Sequence, residues 1–151
     1  MTGRAFVPDD FDVPTSLAAE RFRLEPLGPR HNAGDHAAWT GSIAHIRATP
    51  GYPDGNWPPP GGMSEEANLA DLQRHERDFA ERRGFTYTVL EPTTGEVVGC
   101  VYIYPSDHGS DAEVSSWVRA DRAELDVPLY EAVTDWLGEH WPFAGVDYAS
   151  R

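Results

Sequence analysis

The segment at residues 116–133, SWVRADRAELDVPLYEAV, has the pattern of a strand, a tight loop and the start of a helix. In many α/β proteins this arrangement holds a phosphate group on the free amides at the helix N-terminus. The loop here contains no glycine, and it carries the acidic residues Glu124 and Asp126. The segment therefore combines the layout of a phosphate site with side chains that repel a phosphate.

The composition of the chain narrows the classes of function. The 151 residues carry a formal net charge of -13, and all 12 basic residues are arginine. Without lysine there is no P-loop lysine and no Schiff-base lysine. The acidic balance argues against nucleic acid and anionic membranes as partners, and it suits a small-molecule amine or another cation.

The cysteine, histidine and hydropathy patterns indicate where the protein works. Cys100 is the single cysteine, so the chain has no internal disulfide, which fits a reducing compartment. The first residues contain no apolar signal segment, and no stretch is long enough to span a membrane. The lone cysteine and the hydropathy pattern together predict a cytoplasmic protein. The histidines follow no metal-ligand spacing, so we expect no metal site.

Hydrophobic periodicity predicts one α/β domain of the α+β type over residues 21–151, after an arm outside the core at residues 1–20. The expected order is β-α-α-β-β-β-α-β, with a mixed, mostly antiparallel sheet flanked by helices. The expected elements are a strand at 21–27, one helix before Pro50, a Pro-rich loop, a helix ending before Gly84, a hairpin (FTYTVL and EVVGCVYIYP), a strand (AEVSSWVRA), a helix from about Pro128 to His140, and a last strand (GVDYAS).

Three capping positions follow from the residue types. Asn32 or Asp35 is expected to cap the first helix, and Ser64 the second. Asp126 is expected to cap the last helix, using amides that a phosphate would otherwise take. Pro128 suits the first turn of that helix, although it donates no hydrogen bond.

Four segments resemble the GNAT superfamily of acyl-CoA-dependent N-acetyltransferases, and the resemblance as a whole extends over roughly residues 21–149. RFRLEPLGPRH is similar to its opening strand and turn, TGEVVGCVYIYP to a central strand, SWVRADR to its fourth strand and following turn, and LYEAVTDWL to the next helix. The resemblance implies a GNAT-like fold and transfer of an acetyl or other acyl group from acetyl-CoA or acyl-CoA to an amine.

The resemblance places the cofactor in a cleft beside the fourth strand. There the pantetheine arm pairs with the strand backbone, and a loop of the form Arg/Gln-x-x-Gly-x-Gly/Ala binds the diphosphate. Arg122 matches the opening arginine, but side chains fill the glycine positions. The residues assigned to the cofactor are Trp117, Val118, Arg119, Arg122, Leu125, Asp126 and Val127.

The acidic loop is expected to weaken coenzyme A binding. Two like charges about 4 Å apart repel by roughly 4 kcal/mol at an effective dielectric near 20. This repulsion corresponds to about a thousandfold in affinity, unless Arg119 and Arg122 compensate. The sequence also ends soon after its fifth predicted strand, where the family continues with a helix and two strands, so a partner chain is expected to cover the sheet edge in a homodimer.

The resemblance assigns chemistry to five side chains, each with a structural alternative. Glu113 is a candidate general base, or else an exposed strand carboxylate. Tyr104 and Tyr148 are candidate donors of a proton to the leaving thiolate, or else packing aromatics. Tyr52 and Trp57 line the substrate pocket, or else they anchor the Pro-rich loop on the core. Two functions stay open: an N-acyltransferase, and a non-catalytic GNAT-fold protein used for ligand binding or self-association.

Overall fold

The chain folds around one mixed sheet. The structure is a computed structural model that describes residues 5–52, 57–107 and 109–151. Across these residues the sheet has six strands in the order β1 to β6. They are Leu17–Ala18 (β1), Arg23–Pro26 (β2), Phe85–Leu90 (β3), Val97–Pro105 (β4), Ala112–Val118 (β5) and Val146–Tyr148 (β6). Neighbours are antiparallel except β5 and β6, which confirms the predicted fold class.

Helices cover both faces of this sheet. Over the described residues they are α1 (Asn32–Thr40), α2 (Ile43–Arg47), α3 (Glu65–Ala80) and α4 (Asp126–His140), with 3₁₀ turns at Pro29–His31 and Ala120–Leu125. The predicted Pro-rich loop is described only at its ends, since residues 53–56 lie outside the described residues.

The first predicted helix is two helices in the structure. Helix α1 ends before Gly41, and Gly41 and Ser42 separate it from α2. The amide of Ser42 donates to the carbonyl of Trp39. The expected cap is also wrong: His31 occupies the N-cap position, and the Asn32 side chain bonds the carbonyl of Glu65 instead. Asp35, the other candidate, is buried in the first turn of α1.

Helix α3 begins as predicted and ends earlier than predicted. Ser64 accepts a hydrogen bond from the amide of Ala67 at 3.1 Å, which is the expected N-cap. The helix ends at Ala80, and Arg82 rather than Gly84 takes a left-handed conformation at φ 62°. The Arg82 guanidinium donates to the carbonyls of Pro8 and Phe11, which offsets the strain of that conformation.

Two hydrophobic clusters lie on the sheet. One contains α4 residues such as Leu129 and Trp136, and the other contains Trp39 of α1 and Leu72 of α3. Val7 is buried in the first cluster, so the expectation that the first twenty residues lie outside the core is wrong. Next to Val7, the ring of Phe6 stacks on Phe85 of β3 at 5.7 Å, so these N-terminal residues cover apolar side chains of the sheet.

Candidate functional site

The strands β5 and β6 separate partway along their length. Their last paired residues are Val114 and Tyr148, so the backbone of β5 from Ser115 onwards has no strand partner on this side. On the other side β4 pairs with β5 as far as Val118. The separation creates the gap beside the predicted fourth strand, where the resemblance places pantetheine.

Arg151 fills this gap. Its Nη2 donates to the backbone carbonyl of Ser116 at 2.8 Å and to the hydroxyl at 3.1 Å. Its Nε donates to the carboxylate of Asp126 at 2.7 Å, and Nη1 donates to the carbonyls of Ala149 and Pro50. The side chain is only 2% exposed. The carbonyl of β5 that a ligand would pair with is therefore already satisfied by this guanidinium.

Two tyrosines complete the filling of the gap. Tyr148 shares a 2.6 Å hydrogen bond with the hydroxyl of Ser116, and its ring lies 4.7 Å from that of Tyr130. The Arg151 guanidinium lies within 6 Å of both ring centroids, which is a cation–π arrangement. Burial raises the pKa of Tyr148 to about 12, so this phenol keeps its proton at neutral pH.

The predicted diphosphate loop is a 3₁₀ turn that runs directly into α4. The amide of Ala120 donates to Ser42 Oγ, that of Arg122 to the carbonyl of Arg119, and that of Asp126 to the carbonyl of Ala123. Helix α4 begins at Asp126 rather than near Pro128. Because the turn uses these amides itself, it does not present them to a phosphate.

Asp126 does not cap α4, contrary to the expectation from its residue type. No side chain caps this helix, and Asp126 instead pairs with Arg151. Its second oxygen, Oδ1, is buried, and no described residue forms a hydrogen bond with it. The charge of Asp126 is thus balanced by Arg151, and it would face no phosphate.

The arginines expected to hold a diphosphate differ in their surroundings. Arg119 bonds Asp121 through Nε and Nη2 and Glu96 through Nη1, and these carboxylates raise its pKa above the usual value. Its side chain is 18% exposed. Arg122 has no carboxylate within 4 Å among the described residues. Arg122 therefore makes no close ion pair, although Glu91 and Asp121 are near enough to interact with its charge.

The remaining cofactor candidates are divided between core and surface. Trp117 is buried, with Nε1 donating to the Tyr102 hydroxyl at 3.0 Å. Val118 and Leu125 are buried in the core cluster with α4, whereas Val127 is 49% exposed. The structure does not bring these side chains together around one open cleft.

Glu113 and Tyr104 lie together on neighbouring strands. They are register partners, and they line a surface cavity of about 370 Å³ with Asp147 and Ser115. Tyr148 is not part of this cavity. The Tyr104 hydroxyl donates to Asp78 at 2.9 Å, and burial raises its pKa to about 12. Two of the three catalytic candidates thus share one surface.

Tyr52 and Trp57 line a second cavity, of about 250 Å³, between α1, α3 and β4. Their ring centroids are 6.2 Å apart, and Trp57 also contacts Tyr102 at 6.3 Å. Tyr52 is buried, and its hydroxyl lies beside Ser115 without an aligned hydrogen bond to a described residue. The Tyr52 hydroxyl therefore lies next to a residue that lines the cavity of Glu113 and Tyr104.

Five polar or charged residues of this cavity were not predicted as site residues from the sequence: Asp35, Asn68, Asp71, Arg74 and His75. A signal was present for two of them. Asp35 lies four residues before the buried Trp39, and His75 lies between Leu72 and Phe79 on the apolar stripe of α3. A titratable residue on a buried helix face indicates either a satisfied core residue or a site.

The described part of the chain contains neither a metal-binding cluster nor a membrane-spanning helix. Its side chains form no group of three or more His, Cys, Asp or Glu residues that could hold a metal ion. None of its helices has the length and apolar character needed to cross a membrane.

The sheet with its separated β5 and β6, and a helix following β5, is the architecture of the GNAT superfamily. Solved structures confirm this fold. The chain matches a protein described as a ribosomal-protein-serine acetyltransferase from Vibrio cholerae with a TM-score of 0.69 at 14% identity, covering 94% of this chain and 74% of that one. A probable GNAT-family acetyltransferase from Chromobacterium violaceum matches with a TM-score of 0.59 at 16% identity, covering 98% and 74%.

A third similar structure contains the cofactor. The microcin C7 self-immunity acetyltransferase MccE, in complex with acetyl-CoA and AMP, matches with a TM-score of 0.61 at 12% identity, covering 80% of this chain and 63% of that one. No protein-family model matches the sequence, and no curated protein is significantly similar to it. At these identities the comparisons establish the fold and leave the activity to the geometry of the site.

Proposed function

We propose that this protein is a non-catalytic GNAT-fold protein that binds a small ligand and does not transfer an acyl group. The observation that carries the proposal is the position of Arg151 in the gap between β5 and β6. A pantetheine arm would have to displace a guanidinium that makes five hydrogen bonds there. Each displaced bond to a charged group costs about 1.5–3 kcal/mol unless the ligand replaces it.

The turn before α4 supports the same conclusion independently. A diphosphate needs free amides or uncompensated cations, and the turn uses amides of its own while Arg119 is held by two carboxylates. Arg122 alone would have to hold the diphosphate, and Glu91 and Asp121 already interact with its charge. The binding function is therefore assigned to the cavity between α1, α3 and β4, which remains open.

The second candidate is an N-acyltransferase that moves an acetyl group from acetyl-CoA to an amine. It is favoured by Glu113 and Tyr104, which share one cavity beside β5 as a base and a proton donor would. It requires Arg151 to leave the gap before the cofactor binds.

Calorimetric titration with acetyl-CoA at low salt separates the two candidates. We expect no binding up to millimolar acetyl-CoA, because both the strand gap and the turn are occupied by the protein's own groups. MccE, which is crystallised with acetyl-CoA, serves as the positive control. Submillimolar binding that is lost in Arg122→Glu, followed by amine-dependent thiol release that weakens in Glu113→Gln, would establish the acyltransferase instead.

A further inference from the structure

The cavity between α1, α3 and β4 has walls suited to a positive charge. Tyr52, Trp57 and Tyr102 line it with aromatic rings, and Trp57 packs further against Trp39 and Trp117. Aromatic faces attract cations through the ring quadrupole, by up to about 2 kcal/mol where water is excluded. The volume of about 250 Å³ accommodates a small organic molecule.

A buried carboxylate lies in the same cavity. Asp35 is 4% exposed, and its Oδ2 accepts a hydrogen bond from Asn68 Nδ2 at 3.1 Å. Asn68 is itself fixed, since its Oδ1 accepts from Trp39 Nε1 at 3.0 Å and its Nδ2 also reaches Asn32. No cationic side chain forms an ion pair with Asp35 among the described residues. A buried carboxylate without an ion-pair partner is a natural acceptor for a cationic ligand.

A neutral histidine adds a hydrogen-bond acceptor. His75 Nδ1 lies 2.9 Å from the Tyr104 hydroxyl and 3.0 Å from the Thr86 hydroxyl. Tyr104 donates its proton to the Asp78 carboxylate, so its oxygen can only accept from Nδ1, and the Thr86 oxygen can accept from the same N–H. The proton is thereby assigned to Nδ1, and Nε2 retains its lone pair. No described residue bonds Nε2, and His75 lines the cavity. Burial lowers the pKa of His75 to about 4, so the ring stays neutral at physiological pH.

We propose that this cavity binds a small organic cation that carries at least one N–H group, with the aromatic rings and Asp35 holding the charge and His75 Nε2 accepting the N–H. The inference rests on the proposed ligand-binding function. It does not require a primary amine: a tertiary ammonium ion, which cannot accept an acetyl group, satisfies the same contacts. This tolerance distinguishes a cation-binding pocket from the acceptor pocket of an acetyltransferase.

Binding should depend on pH through the ionisation of Asp35. Burial raises the pKa of Asp35 to about 6, so the carboxylate is mostly charged at neutral pH. The groups around it are Asn68 and Asp71 of α3, His31 of the first 3₁₀ turn and His36 of α1; Arg74 also lines the cavity but pairs with Asp71. Affinity for benzylamine, which stays protonated over this range, is expected to fall roughly tenfold per pH unit once the pH is below about 6.

The test measures quenching of tryptophan fluorescence by four matched probes: benzylamine, N,N-dimethylbenzylamine, benzyltrimethylammonium and benzyl alcohol. We expect the first two to bind with affinities within a few-fold of each other. The quaternary probe, without an N–H, should bind at least tenfold more weakly, and the neutral alcohol should not bind measurably. Binding of the alcohol as tight as that of benzylamine would overturn the proposal, as would failure of every probe.

Two variants and two matched controls locate the site. Asp35→Asn and His75→Gln should each weaken benzylamine binding at least tenfold, whereas Asp135→Asn and His140→Gln, on the exposed side of α4, should not change it. Circular dichroism checks that each variant is folded, and the pH titration of the unmodified protein provides a test without substitution. Unchanged binding in folded Asp35→Asn would sink the inference.

The titrations with the four probes and the titration with acetyl-CoA test different claims. If acetyl-CoA binds and an acyl group is transferred, the non-catalytic function fails whatever the probes do. If acetyl-CoA does not bind and no cation binds either, the non-catalytic function stands and the cation inference fails alone.

Discussion

Replacing Arg151 by alanine is expected to lower the free energy of unfolding by about 3 kcal/mol. The Arg151 side chain is 2% exposed and pairs with Asp126, whose second oxygen has no hydrogen-bond partner among residues 5–52, 57–107 and 109–151. Removing one partner of a buried ion pair leaves an uncompensated charge, which costs about 3–5 kcal/mol, and the partial exposure of Asp126 favours the lower value. Urea unfolding followed by circular dichroism measures the change, and the melting temperature should fall by roughly 10 °C.

Arg122→Ala is the matched control for this prediction. This substitution removes the same positive charge, but Arg122 has no ion pair within 4 Å among the described residues. Removing its side chain should therefore change the free energy of unfolding by no more than about 0.5 kcal/mol. The double variant Asp126→Ala with Arg151→Ala should recover part of the loss, because the unpaired carboxylate is gone. If Arg151→Ala costs less than about 1 kcal/mol, the gap is not firmly held and the cofactor cleft is more accessible than we propose.

Asp35→Asn is expected to stabilise the unliganded protein at neutral pH by about 2 kcal/mol. Burial raises the pKa of Asp35 from 3.8 to about 6, so the folded protein binds this proton more tightly than the unfolded chain does. Ionisation of Asp35 therefore costs folding free energy as pH rises from about 4 to about 6, and the full shift corresponds to about 3 kcal/mol at neutral pH. Asparagine avoids this cost and can still accept from Asn68.

The pH dependence of the stabilisation by Asp35→Asn distinguishes the ionisation of Asp35 from that of His75. Burial lowers the pKa of His75 from 6.5 to about 4, so His75 destabilises the fold as pH falls through that range, which opposes the effect of Asp35. The two effects largely cancel in the unmodified protein, and only the difference between Asp35→Asn and the unmodified protein isolates the carboxylate. Thermal melts at a series of pH values should show this difference vanishing near pH 4, with Asp135→Asn as the control.

A stabilising effect would have a functional meaning. A carboxylate that is kept at the expense of stability is typical of a binding site, where the ligand later supplies the missing charge. If Asp35→Asn is instead destabilising at neutral pH, or if the difference does not change with pH, Asp35 is a structural residue whose hydrogen bonds outweigh its burial.

Most of the fold could be predicted because its signals are local. The strands of the hairpin consist of β-branched and aromatic residues on either side of a Gly-containing turn, and Ser64 precedes two glutamates at the start of α3. The missed features depend on distant contacts. Val7 enters the core because of strands far along the chain, and Arg82 takes its left-handed position because its side chain reaches the carbonyls of Pro8 and Phe11.

The candidate site was predicted less completely than the fold. The glycine-free, acidic turn was visible in the sequence, and so was the weak phosphate site that it implies. Tyr52 and Trp57 do line a cavity together, although the use of that cavity stays a proposal. Its polar residues come from α1 and α3, and no spacing within either helix shows that they face one another. The expected homodimer and cytoplasmic location stay predictions.

The amino-acid pattern alone therefore specified the order of strands and helices, apart from β1 and the division of the first helix, and it specified the glycine-free, acidic turn. These properties depend on neighbours in the chain, through periodicity, capping and backbone conformation. The packing of distant segments decided what occupies the cleft. Arg151 reaches Ser116 and Asp126 only once β6 has paired with β5, and Asp35 meets Asn68 only once α1 and α3 have packed on one sheet.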